Sequence, residues 1–515
     1  MCPDGCRSSA TVGPDIVASD GRLRHIVWPA SPPFACLSAP PMPDRILVPL
    51  IVACALFMEN LDSTVLATAL PAIAADFGVG PIHLKLALTS YLVALAIFIP
   101  ASGWLADRFG TRLIFRLAIV TFTAGSILCG LSTSIETIVL GRVVQGVGGS
   151  MMVPVGRLVI LRTVSKAELV GSLAWLTVPA LIGPLLGPPV GGFITTYVDW
   201  RWIFWINVPV GVLGLILATL FIPDVRGGDR VVFDRVGFLL SGVGLAAFLT
   251  GATTLGLGLL PGSLVAALIA IGVGLLAAYV LHSRRSTAAP IIDLTLVRIA
   301  TFRYSLIGAL LFRIGMGATP FLLPLLLQIG FGMTPFQSGS TTFAAAVGAI
   351  AMKFGAPPIL RRFGFRNVLL VNTTLAAGFF ALPALFTPTT SVATIVAVLL
   401  VGGFFRSLQL TSINALAFAD IAAERMSRAT TLTSVAQQLS LAVGISVGAI
   451  ALELTTMALG GGGISANAFW PAFVVIGVIT LATIIPMARL PADAGDELSG
   501  RQPTPDPVTL MRERG

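Results

Sequence analysis

Charged residues are scarce in this chain. Asp, Glu, Lys and Arg make up 11% of its 515 residues, against 56% apolar ones. Soluble domains carry about a quarter charged residues, so a string of soluble domains is excluded. Histidine is nearly absent: His25, His83 and His282 do not cluster. Cysteine is sparse, at Cys2, Cys6, Cys36, Cys54 and Cys129. Cys2 and Cys6 have no further ligand at metal-binding spacing, and Cys54 and Cys129 lie in apolar runs, so no metal site is expected. There is no Walker loop, which removes ATP as an energy source. No hydrolase or redox constellation appears, so neither an enzyme nor a cofactor is expected. The formal charge of +9 is spread in short clusters rather than one patch, which argues against nucleic acid as a partner.

What the chain has in plenty is long apolar runs. About 20 mostly apolar residues let a helix cross the hydrocarbon core. In lipid the backbone must satisfy itself, within helices or closed barrels. These runs are apolar all round and too long for barrel strands. They predict helices over about 46–70, 83–105, 112–131, 136–160, 168–196, 200–222, 236–258, 262–282, 302–329, 335–358, 366–387, 391–416, 428–458 and 467–488. The expected fold is therefore an all-α membrane protein with fourteen crossings.

Charge tests that count. Basic residues fall in alternate loops: Arg108, Arg112 and Arg116; Arg157, Arg162 and Lys166; Arg226, Arg230 and Arg235; Arg284, Arg285, Arg298 and Arg303; Arg361, Arg362 and Arg366; Arg425 and Arg428; then Arg489. The opposite loops hold Lys85 and Arg201. Such asymmetry places both termini in the cytoplasm. The first 41 residues lack an apolar core and helical periodicity. Met42 reads as the natural start, and 1–41 as a disordered or untranslated extension. A six-helix bundle is expected over 42–222, a linker with two additional helices over 223–300, a second six-helix bundle over 301–490, and a disordered cytoplasmic tail over 491–515.

A short basic turn occurs twice. Gly103-Trp-Leu-Ala-Asp-Arg-Phe-Gly-Thr-Arg112 and Ala356-Pro-Pro-Ile-Leu-Arg-Arg-Phe-Gly-Phe-Arg366 share an Arg-Phe-Gly core between two spans. Two related halves are a known transporter architecture. Three further motifs stand on the expected helices: Leu61-Asp-Ser-Thr-Val-Leu-Ala-Thr-Ala-Leu-Pro71 on the first, Gly141-Arg-Val-Val-Gln-Gly-Val-Gly148 on the fourth, and Gly183-Pro-Leu-Leu-Gly-Pro-Pro-Val-Gly-Gly192 on the fifth. With these motifs in this order, residues 42–490 resemble the major facilitator superfamily, in particular its fourteen-helix drug:proton antiporter branch. The second copy of the turn has Leu360 or Arg361 where an aspartate would stand, so the second half need not gate as the first does.

The resemblance implies a monomeric exporter in a bacterial inner membrane. It would exchange small amphipathic or cationic molecules, drugs among them, for protons, with the lipid bilayer as its surroundings. Export of an endogenous metabolite, such as an amino acid, sugar or siderophore, is the alternative within the same fold. A membrane sensor or scaffold is a third reading, opposed by the retained membrane charges Glu59, Asp62 and Arg142.

Glu59 and Asp62 are three residues apart and share a helix face. A carboxylate inside the membrane is costly unless paired, wetted or protonated, which suits proton exchange; a fixed ion pair is the competing reading. The resemblance gives Arg142 a part in the coupling. Arg313 and Arg406 have no acid at the same depth in their own spans, and Glu59 and Asp62 are their expected partners across a central cavity. Gln145, Gln328, Gln409, Asn414 and Gln437 are polar groups that could line that cavity or bond helix to helix. Gly183, Gly187 and Gly191 make a stripe for close helix approach. Pro184 and Pro188 remove backbone donors, so the segment reads as a hinge or as tight packing. In the turn, Gly103, Asp107, Arg108, Gly110 and Arg112 read as a gating loop. The resemblance places Asp107 near the start of the penultimate helix, at about Ser427.

Overall fold

The computed structural model describes residues 42–163, 169–225, 233–256, 258–285, 290–460, 463–491, 494–495 and 497. The expected extension over 1–41, most of the tail, Lys166, Arg226 and Arg230 lie outside them. The chain divides into Met1–Asp44, of which only the first residues of a helix are described, and Arg45–Gly515.

The helices in chain order are α1 (Met42–Phe77), α2 (Lys85–Phe109), α3 (Thr111–Gly130), α4 (Ile135–Thr163), α5 (Leu169–Tyr197), α6 (Trp202–Trp205), α7 (Asn207–Phe221), α8 (Arg235–Thr254) and α9 (Gly262–Arg285). There follow α10 (Ala300–Leu325), α11 (Pro335–Phe363), α12 (Phe365–Ala381), α13 (Val392–Phe418), α14 (Met426–Ala458), α15 (Trp470–Leu481) and α16 (Ile484–Ala488). The pairs α6–α7 and α15–α16 each form one crossing. With α5, which is 29 residues long, thirteen long apolar segments make the fourteen crossings that hydropathy predicts.

The ends extend beyond the apolar runs where polar residues find partners. The first span, expected to stop near residue 70, continues to Phe77. The added turns carry Asp76, which accepts from Arg201 at 2.8 Å and from the Trp200 indole at 3.3 Å. The repeated basic turns share a backbone device. Gly110 (φ 98°) links α2 to α3, and Gly364 (φ 74°) links α11 to α12; only glycine takes such angles without strain. α10 carries Pro320 and Pro324 and ends in a π turn over Leu326–Gly330, because the prolines withhold backbone donors.

Two seams join the halves. On one, α2 packs on α14; on the other, α5 packs along α11. The inserted helices α8 and α9 pack on each other, and α8 also lies against α2 and α14. Only 17% of the apolar window of α9 is buried, as a face turned to lipid requires.

Candidate functional site

Glycines let the N-terminal helices close around a polar cluster. On α4, Gly141 and Gly148 face α3, at Cys129 and Phe122, while Gly146 and Gly149 face α2, at Ala94 and Tyr91. With both neighbours drawn in, Arg142 is 1% exposed. Its Nη1 donates to Asp62 Oδ2 at 2.5 Å and to Gln145 Oε1 at 2.8 Å, and its Nε to the Ala87 carbonyl at 3.1 Å. The guanidinium lies 4.3 Å from the Tyr91 ring centre. Asp62 Oδ1 accepts from Gln145 at 3.1 Å and Asn207 at 2.8 Å. Gln145 also donates to Ser126 at 2.6 Å. Both carboxylate oxygens of Asp62 are thus met by partners in the protein, which is how a buried ion pair becomes tolerable.

Glu59, one turn away, stands differently. It is buried, and Oε1 accepts a hydrogen bond from the Tyr91 hydroxyl at 3.4 Å. Its Oε2 has no hydrogen-bond partner among the described residues, and no cation there forms an ion pair with it. As an anion it would stand uncompensated; carrying a proton removes that cost.

A cavity of about 460 Å³ lies between the halves. Its wall takes Thr64, Ala67 and Thr68 from α1, Pro184 and Pro188 from α5, and the remainder from α10, α11 and α13. Arg406 and Asn414 line it, as expected from their types; Lys353, which the sequence reading passed over, also lines it.

The expected pairing of Arg313 and Arg406 with Glu59 and Asp62 is not what the structure contains. Asp62 is taken by Arg142 within its own half. Arg313 donates to Asn414 Oδ1 at 2.8 Å, and Arg406 lies 5.4 Å from the Phe380 ring centre. Sequence shows which spans hold charges, but not which faces meet. Gln145 belongs to the Asp62 cluster, not the cavity wall. Gln328 bonds the Thr68 carbonyl at 3.0 Å, tying the π turn after α10 to α1. Gln409 bonds Asn372 and Thr373 between α13 and α12. Gln437 is half-buried on α14 and off this cavity's wall.

The α5 stripe faces α1. Gly183 meets Asn60, Gly187 meets Thr64, and Gly191 meets Val65 and Thr68. The contact between the halves falls on the next face, where Gly192 lies against the Pro335 carbonyl and Gly339 against the Pro188 carbonyl. In the gating loop, Asp107 pairs with Arg162 at 2.5 Å. Arg112 bonds the Thr219 carbonyl, and Gly110 has no room for a side chain beside Asp224. Gly103 is open-sided; no ion pair of Arg108 occurs among the described residues. The start of α14 is held by Asp293, which pairs with Arg425 at 3.0 Å and Arg428 at 3.6 Å. Asp293 sits in a linker whose sequence carries no sign of that role. Tyr91 and Asn207 were likewise missed; each is a polar side chain inside a span, the one signal available.

A family model described as Major Facilitator Superfamily matches residues 52–445. MdtD of Shigella sonnei (strain Ss046), which carries the provisional name multidrug resistance protein, is 38% identical over 410 residues, or 78% of this chain and 85% of MdtD. The solved structure of the nucleoside transporter NupG matches with a TM-score of 0.61 at 11% identity, over 87% of this chain and all of that one. The structure of a D-xylose-proton symporter matches with a TM-score of 0.61 at 14% identity, over 86% and 96%. At these identities the two structures speak to fold alone.

Proposed function

The chain belongs to the major facilitator superfamily, and from that premise we propose that it exports small amphipathic molecules in exchange for protons. It is a multi-pass membrane transporter rather than an enzyme. Transporters with this architecture bind cargo near the midplane and rock one half against the other. The cavity between the halves supports that cycle here. The relative MdtD is named for multidrug resistance, and drugs are one class of cargo consistent with this reading. We place the protein in a bacterial inner membrane with both termini cytoplasmic, on the alternation of basic loops.

The observation that carries proton exchange is the unlike state of two carboxylates on one helix. Asp62 is held by Arg142, whereas Glu59 has no ion pair among the described residues and its Oε2 no hydrogen bond. Glu59 is the group that gains most from holding a proton while water is excluded, and that can release it when one side opens. The Asp62–Arg142 pair fixes α1 against α4 and sets the field in which Glu59 exchanges its proton. The test is transport in inside-out vesicles, with a panel of charged and neutral dyes and a simultaneous record of proton flux. Glu59→Gln is expected to insert and fold, yet to lose proton-driven accumulation of every dye the parent transports. Unchanged proton-driven transport in that variant would remove Glu59 from the coupling.

A further inference from the structure

We propose that the cargo is an amphipathic organic anion, whose charged group docks against Arg406 and Lys353 while its apolar body lies against the rest of the cavity wall. The proposal rests on the transport reading above and names its substrate class. It starts from a charge imbalance. Among the residues lining the cavity are two cations, Arg406 and Lys353, and no carboxylate.

Arg406 is the telling group. It stays charged at any working pH, and it stands on a membrane-spanning helix, where a bare cation is costly. Yet among the described residues it has no ion pair and no hydrogen-bond acceptor, only the face of Phe380. Arg142 shows how this protein treats an arginine meant to be structural: a carboxylate, an amide and a carbonyl converge on it. Among the described residues Arg406 has none of these, and it lines the cavity wall. The protein leaves its compensation to whatever enters.

The surroundings reinforce the sign. Lys353 Nζ donates to Thr411 Oγ1 at 2.9 Å, which leaves two of its three protons for a ligand. Behind the wall, the one hydrogen-bond acceptor of Arg313 among the described residues is the Asn414 amide oxygen, so a third cation adds to the positive field. The membrane acids do not cancel it. Asp62 is neutralised by Arg142, Glu59 is off the wall beside Tyr91, and Glu453 faces Gly256. Met316, Leu323 and Leu410 supply the apolar part of the wall. A volume of about 460 Å³ falls in the range of pockets for drug-sized ligands, roughly 300–1,000 Å³. A cationic cargo would meet like charges in a low-dielectric space with nothing to pair it.

Two xanthene dyes of similar shape and opposite charge test this: fluorescein and rhodamine 6G. Their binding to the purified full chain in lipid nanodiscs is read by fluorescence anisotropy. Fluorescein is expected to bind about tenfold or more tightly than rhodamine 6G, as one charge-assisted hydrogen bond implies. Lys353→Gln and Arg406→Gln should each weaken fluorescein about tenfold and narrow the preference. Lys353 is exposed to the cavity, so its variant keeps the fold and decides the matter if Arg406→Gln does not fold. Equal or tighter binding of rhodamine 6G, no binding of fluorescein, or an unchanged preference in Lys353→Gln would overturn the proposal. Fluorescein binding without proton-linked efflux would overturn proton exchange alone. Proton-linked efflux of rhodamine 6G alone would keep exchange and reject the anion.

Discussion

Asp62 and Glu59 share a face of α1, and one substitution in each separates a structural role from a proton-carrying one. Removing the charge of Asp62 strands the buried Arg142, and breaking such a pair costs about 3–5 kcal/mol. Asp62→Asn is therefore expected to lower the unfolding temperature of the purified protein markedly, and Asp62→Asn with Arg142→Gln to recover much of it. An unchanged melting curve for the single variant would show that the pair does not hold α1. Glu59→Gln should leave the melting curve near that of the parent, since among the described residues no cation pairs with Glu59 and its Oε2 has no hydrogen bond to lose. Asp293 lies outside the spans and makes a prediction in pH. Burial raises its carboxyl, but hydrogen bonds from Thr295 and Arg425 outweigh burial and hold it below the ordinary 3.8. A depressed carboxyl stabilises the fold fully above its unfolded value and stops doing so as pH falls through the folded one. Asp293→Asn should thus be less stable than the parent at about pH 6, and the gap should close towards about pH 3. Thermal unfolding of both proteins at the two pH values checks this.

At the scale of elements, the seam between α5 and α11 is built from backbone. Gly192 and Gly339 each lie against a main-chain carbonyl of the facing helix, so neither can gain a side chain without parting the two. Small residues that allow such approach are the usual means of packing helices in lipid. Gly339→Val is expected to insert in the membrane at normal level and to lose transport in the vesicle assay. Normal transport by that variant would mean that the seam need not close during the cycle. The stripe Gly183, Gly187 and Gly191 was legible in sequence, but the helix it faces was not. Four-residue spacing defines a face, and a face says nothing of its neighbour until the bundle is assembled. The same limit explains Asp107, whose partner Arg162 is on α4, and Gln409, which joins α13 to α12.

For the whole molecule, the alternation of basic loops makes the topology testable. A reporter fused after Gly258 is expected to report the external side, and a chain beginning at Met42 to insert as well as the longer one. A strong cytoplasmic signal from the first, or loss of insertion by the second, would contradict the arrangement. The sequence by itself determined that this is an all-helical membrane protein with fourteen crossings and related turns at Gly110 and Gly364. Those properties follow from run length, hydropathy and local backbone demands, each of which acts over a few tens of residues. It also marked Glu59, Asp62, Arg142, Arg313 and Arg406 as exceptional, because a charge inside a span is costly wherever it lies, though it passed over Lys353. Only the tertiary structure decided how those charges pair. Arg142 takes Asp62, Glu59 is left without an ion pair among the described residues, and Arg406 is left lining the cavity. Pairing depends on which helix faces converge across tens to hundreds of residues of chain, and hydropathy carries no record of that convergence.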